Sequence, residues 1–255
     1  MTAALDRVNP VVRLLAALAF AVILVISVDV VSAGTALLLG AVLLTIAGVR
    51  PRALGIRIVP LLLAAPLAAL TIALYGAPSG AVLAEWGFVH VTAGSLALAA
   101  ATFLRILAIG VCGVGLLAGI DATRLADGLA QVLHLPSRFV LGALAAFRLF
   151  GLLGEDWRAL ALARRARGVA DRGRLRRFAG QAFALLVLSV RRGGVLATAM
   201  EARGFGGPGG RTWARPSVLG LPDLVLVVVT AGVLGVAIAA AVALGTWNPG
   251  GVAGV

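Results

Sequence analysis

Two arginines carry the clearest chemistry in this chain. Arg167 stands in RRARG (164–168) and Arg203 in MEARGF (200–205), each with Ala before it and Gly after it. A guanidinium makes and breaks no bonds, but it recognises carboxylates through two parallel hydrogen bonds. Ala166 and Gly168, and Ala202 and Gly204, leave each guanidinium uncrowded. A chain rich in Ala, Arg and Gly can carry this trio by chance, and Arg followed by Gly is an ordinary helix C-terminus. What sets the copies apart is their surroundings. Each closes a helical stretch, and the runs VADRGRLRR and FGGPGG follow, the latter unable to continue a helix. Two equivalent tips fit two equivalent grooves, as on a two-subunit partner.

Other reactive residue types are scattered. Cys112, His90 and His134 lack metal-ligand spacing, so no metal site is expected. Glu155–Asp156 reads as the charge of a helix start rather than a catalytic pair, and Asp121 as an N-cap. There is no nucleophile–base constellation and no G-x-S-x-G. All 22 basic residues are Arg. Without Lys the chain can form neither a Walker A loop nor a Schiff base. It is read as non-catalytic. Arg105, within ATFLRILAIG, falls near the centre of an apolar run. A charge at that depth is costly and marks function by default, unless the span is displaced and the side chain snorkels to an interface.

The elements that position these residues are apolar. Of 255 residues, 61% are hydrophobic, with mean hydropathy +1.08, above the ~45–50% apolar content of soluble domains. Runs at 11–28, 35–49, 58–75, 94–118 and 221–245 read as transmembrane helices. The first two form a hairpin around Asp29; a signal peptide ending near VSAG is the alternative for the first. Pro60 and Pro66 can kink the third. Arg distribution sets the topology. Arg7 and Arg13 place the N-terminus in the cytoplasm, and Arg50, Arg52 and Arg57 place the 50–57 turn there. The 29–34 turn, the 76–93 loop and the tail TWNPGGVAGV lack Arg and face out, with Trp86 and Trp247 at the outer boundary. Gly115 and Gly119 form a small-xxx-small pair, joined by Gly110, Gly113, Gly232 and Gly235, suited to packing inside the chain or against a partner.

Residues 119–216 differ, with 16 of the 22 Arg and 6 of the 10 acidic residues, a net +10. A basic balance of this kind also suits nucleic acid; in a membrane chain it marks the cytoplasmic side. Phe183, Leu186, Val187 and Val190 lie on one helical stripe. LADGLAQVLHLPSR reads as an interfacial amphipathic helix ending before Pro136. The segment is read as three or four amphipathic helices on the cytoplasmic membrane surface. The alternative is two further spans at 138–154 and 178–200, against which Arg148, Arg191 and Arg192 count. The division is thus 1–118 membrane helices, 119–216 coupling helices, and 217–255 a last span and tail.

In RRARG and MEARGF, and in the order of spans, DATRLADGLAQVLHLP (121–136), helical segment and last span, the chain resembles the transmembrane T component of energy-coupling factor (ECF) transporters, the CbiQ-like family. The resemblance covers most of the chain. It implies an all-α multi-pass protein of about five spans with cytoplasmic coupling helices. It implies that the tips, Ala166, Arg167 and Gly168 with Ala202, Arg203 and Gly204, dock into two cytoplasmic ABC ATPases, which bind the ATP. It further implies a partner S component, a small membrane protein that binds the vitamin or metal ion and fixes substrate choice. No cofactor and no nucleic acid belong to this reading. Two others stand beside it: a self-sufficient secondary transporter or channel with Arg105 in its pathway, and a membrane anchor for a signalling partner. Against the former, the sequence offers no inverted repeat and no intramembrane carboxylate.

Overall fold

The structure, a computed structural model, describes residues 5–49, 51–76, 79–86, 89–168, 173–207 and 212–247. Arg50, residues 169–172, 208–211 and 248–255, and the side chains of Arg52, Trp86 and His90 lie outside that description. In hydrocarbon every backbone polar group must find its partner within the chain, which favours helices. The described residues form eight: α1 (Pro10–Ile26), α2 (Val30–Ile46), α3 (Pro51–Tyr75), α4 (Ala93–Leu117), α5 (Ala122–Gln131), α6 (Ser137–Ala166), α7 (Arg174–Ala202) and α8 (Leu221–Ala243). Two compact units result: Met1–Asp121 with Val218–Val255, and Ala122–Ser217.

The first unit packs α1, α2, α4 and α8 around Phe20, Leu24, Ala36, Ala108, Cys112, Val233, Leu234 and Ala237. Its helix ends are capped from within. Asn9 accepts the Val11 amide and Pro10 takes the first turn of α1. Asp29 caps α2 through the Ser32 amide, with the Ser27 hydroxyl 3.2 Å from it. Arg13, read above as a topology charge, is only 2% exposed. Its Nε and Nη2 donate to the carbonyls of Leu116 (2.7 Å) and Ala118 (2.6 Å), capping the C-terminus of α4. Asp223 accepts the amides of Asn9 (2.6 Å) and Gly220 (2.7 Å), tying the start of α8 to that of α1.

These ties set the register of α1 against α4. Arg13 meets residues 116–118, and fourteen residues further on Ser27 accepts a 2.9 Å bond from Arg105. The α1–α2 turn therefore meets α4 at its middle, with residues 93–105, about 18 Å of helix, extending beyond. Two expectations change. The 29–34 turn is in fact the buried turn at Ser27–Asp29, followed at once by α2, because the Asp29 cap starts the helix at Val30. Asp29, expected in an outer turn, is a carboxylate level with the centre of α4.

The 76–93 loop contains a β-hairpin, β1 (Val82–Trp86) against β2 (Val89–Thr92), antiparallel, with Val82 opposite Thr92 and Trp86 opposite Val89. Alternation in VLAEW and VHVT suits paired strands. Thr92 ends β2 and caps α4: its Oγ1 accepts the Ser95 amide (3.1 Å), and Ser95 Oγ accepts the Thr92 amide (3.0 Å).

Five helices are long and apolar enough to cross a membrane: α4, α6, α7, α8 and residues 55–75 of α3. Three of them, α3, α4 and α8, are the runs expected at 58–75, 94–118 and 221–245; α6 and α7 fall where amphipathic helices are expected. At 17 residues each, α1 and α2 rise about 25 Å, under the ~30 Å hydrocarbon core. Conversely, α6 and α7 run for 30 and 29 residues, longer than the apolar stretches at 138–154 and 178–200. The chain is an all-α multi-pass membrane protein.

Candidate functional site

The second unit is built on α6 and α7. Helix α5 ends at Gln131; His134, with φ +53°, turns the chain in the left-handed region, and Pro136 opens α6. Ala126 and Ala130 of α5 bury against Val140 of α6, with Trp213 alongside. Gln131 holds the returning segment at both its polar atoms, donating to the Arg215 carbonyl (2.9 Å) and accepting the Ser217 amide (2.8 Å).

Helices α6 and α7 form an antiparallel pair. Near the end of α6, Arg164 donates to the Gly180 carbonyl at 2.9 Å. Further back, Gln181, 2% exposed, donates to the Trp157 carbonyl at 2.8 Å. The Trp157 and Phe178 rings pack tilted at 57° with centroids 5.4 Å apart. Asp156 pairs with Arg192. At the start of α6, Arg138 donates to the Gly206 carbonyl. Glu155 and Asp156 are thus mid-helix, not at a helix start. Helix α6 continues through Gly151 and Gly154, and Asp156 is held by α7 instead of by a helix dipole.

Both Ala-Arg-Gly trios end their helices in the same way. Ala166 and Ala202 are the last helical residues, Arg167 and Arg203 the C-caps, and Gly168 and Gly204 take φ of +68° and +79°. The Gly168 amide donates to the Arg165 carbonyl (3.0 Å) and the Gly204 amide to that of Glu201 (2.8 Å). At the second tip the Phe205 amide also reaches the Met200 carbonyl (3.0 Å), completing a Schellman turn. All six residues are exposed. A Cβ on either glycine would meet nothing within 4 Å. Glycine therefore serves the positive φ here, not a need for space.

Because the pair is antiparallel, the tips lie at its opposite ends. Arg203 shares a groove of about 570 Å³ with Leu141 and Arg148 of α6. Arg167 lies 26 residues beyond Leu141, about 39 Å along the helix. Between the tips, α6 and α7 expose large apolar side chains, including Phe147, Phe150, Phe183 and Val190.

Arg105 lies in the other unit. Its Nη2 bonds to the Ser27 carbonyl, and its buried Nε has no partner among the described residues. Gly110 and Gly115 serve internal packing, against Leu61 and Leu44, whereas Gly113, Gly232 and Gly235 face open space. Cys112 is buried in the core against Gly40. Among the described residues, His134 joins no group of His, Cys, Asp or Glu able to hold a metal. Sequence reasoning missed Gln181 and the Arg13 cap. The signal for the former was available: the chain has only two glutamines, and Gln181 stands beside a helical apolar stripe.

One unit is a bundle of apolar helices with internally capped ends, and the other holds a helical pair with two alike tips; five helices are long and apolar enough to cross a membrane. The chain belongs to the CbiQ family, described as cobalt transport protein, whose family model matches residues 1–213. Among proteins of curated function, none matches the chain.

Proposed function

We propose that this chain is the coupling subunit of an ECF-type importer. Its N-terminus lies in the cytoplasm and the 119–216 segment on the cytoplasmic membrane surface, and its two tips dock two ABC ATPases, which bind and hydrolyse the ATP. The observation that carries this reading is the repetition of one helix-end geometry at both ends of α6–α7, about 39 Å apart. Each tip presents one exposed guanidinium beyond a small residue, suited to a carboxylate-lined groove, and two such tips suit a two-subunit ATPase. The pair is braced at Trp157–Phe178, Gln181 and Asp156–Arg192, so motion at one tip is carried along the helices. The exposed aromatic and aliphatic side chains between the tips suit a membrane-embedded S component that carries the cargo. Arg105 holds the α1–α2 turn against α4 and Asp29 caps α2, which leaves both with structural work at that level.

The test is co-purification. The tagged chain, solubilised gently, retains two ATPases and a small membrane protein, while Arg167→Ala/Arg203→Ala loses the ATPases. Truncating a charge paired in a buried groove costs ~2–5 kcal/mol. A double variant that still assembles and supports uptake refutes the docking role.

A further inference from the structure

Below the core of the first unit, α2 and α8 part. Helix α8 joins the core through Val233, Leu234 and Ala237. Before Val233, a cavity of about 500 Å³ opens between the last turns of α2 and the first turns of α8. Phe20 and Cys112 form its floor, and Leu43, Leu226 and Val229 stand in its walls. Of its eighteen lining residues only Arg7 and Thr230 carry a hydroxyl or a charge. Water gains few partners in such a space, and an empty apolar void forfeits the dispersion contacts of its walls. The mouth is flanked by Ile46 (75% exposed) and Val225 (53% exposed), on helix faces of a membrane protein. The volume falls within the ~300–1,000 Å³ of small-molecule sites.

The rim has a sign. Arg7 is exposed and lines the cavity, and no acidic side chain among the described residues does so; Asp6 beside it is not part of the lining. We propose that this cavity holds an acyl chain of an anionic phospholipid from the leaflet in which Arg7 lies, with the lipid phosphate on the Arg7 guanidinium. Hydrocarbon fills the apolar depth, and the phosphate meets the one charge at the mouth. The site rests on the membrane-spanning fold and is independent of ATPase docking.

Native mass spectrometry of the full chain, with whatever partners it retains, tests this by titrating phosphatidylglycerol against phosphatidylcholine of the same acyl composition. Wild type retains one phosphatidylglycerol in preference. Arg7→Gln lowers that preference about fivefold, the ratio set by one basic side chain near an anionic surface, and lowers phosphatidylcholine retention less, because the choline ammonium offsets the charge of that lipid's phosphate. Arg57→Gln, which removes an exposed Arg outside the cavity lining, keeps the wild-type preference. Val229→Trp fills the cavity and lowers retention of both lipids. Equal retention of the two lipids by wild type, or equal effects of Arg7→Gln and Arg57→Gln, overturns the proposal; so does undiminished retention by Val229→Trp. The Arg7/Arg57 comparison decides the matter even where Val229→Trp fails to fold.

Discussion

Replacing Gly204 by Ala separates the shape of the second tip from its charge. Gly204 has φ +79°, and a Cβ there would meet nothing within 4 Å, so the substitution introduces no clash with another part of the protein. Its cost is the left-handed conformation itself, ~1–2 kcal/mol for an ordinary L-residue. Two bonds hold the turn in place, Gly204 amide to Glu201 carbonyl and Phe205 amide to Met200 carbonyl. Together they contribute ~1–3 kcal/mol, comparable to the strain, so in the free subunit the end of α7 frays. Docking must then restore the turn. The partner's affinity falls by about 5- to 30-fold, the equivalent of that strain, while the Arg203 guanidinium remains available. Asn tolerates the left-handed region better than Ala, so Gly204→Asn recovers part of the loss. The assay is binding of the co-purified ATPases to the subunit in lipid nanodiscs, measured for wild type, Gly204→Ala, Gly204→Asn and Arg203→Ala. If Ala and Asn weaken binding equally, the positive φ is not what the site needs. If both bind as wild type does, the tip is not at the interface.

Two further tests probe the membrane unit. Arg13→Met removes two charge-assisted bonds to the carbonyls of Leu116 and Ala118 and leaves buried acceptors without them; at ~1.5–3 kcal/mol each the loss is about 3–6 kcal/mol, seen as a clear fall in Tm in detergent. A Tm within error of wild type sinks the capping role. Gly110→Ala drives a methyl into Leu61 on α3 and costs ~1–3 kcal/mol. Gly113→Ala, on the same helix but facing open space, is neutral or stabilises by up to ~1 kcal/mol, and the reverse order in thermal unfolding defeats the packing argument.

What the sequence revealed follows from the range of the interactions involved. The Ala-Arg-Gly ends were legible because a C-cap is local: a helix former, a basic residue and a glycine determine the turn within five positions, and Gly168 and Gly204 take the required φ. Asp29 was legible as the pivot of the first hairpin for the same reason, its cap reaching only to Ser32. Misreadings arose where a partner distant in sequence decides the outcome. Nothing near Arg13 reveals that the end of α4, more than a hundred residues on, takes its guanidinium. Nothing near Glu155–Asp156 reveals Arg192, so the charges looked like a helix start when α6 had begun at Ser137.

Helix ends were misplaced for a related reason, although three of the five expected runs, at 58–75, 94–118 and 221–245, are span-length helices. Hydropathy measures how apolar a run is, whereas its helical length is fixed by caps and tertiary bonds. Ser27 and Asp29, held at the level of Arg105, end α1 at Ile26 and start α2 at Val30, five residues before the apolar run expected from 35. In α6, Glu155–Asp156 looked like a helix start, yet the helix runs unbroken from Ser137 to Ala166. Packing across the pair, through Trp157, Gln181 and Arg192, offsets the weak local propensity. Of the arginines that argued against spans at 138–154 and 178–200, Arg192 ties α7 to Asp156 of α6 and Arg148 reaches Thr123 of α5; Arg164, at the end of α6, adds a second tie to the Gly180 carbonyl of α7. A helix pair that must hold two tips some 39 Å apart needs such cross-ties along its length, because two unbraced helices would let each tip move without the other.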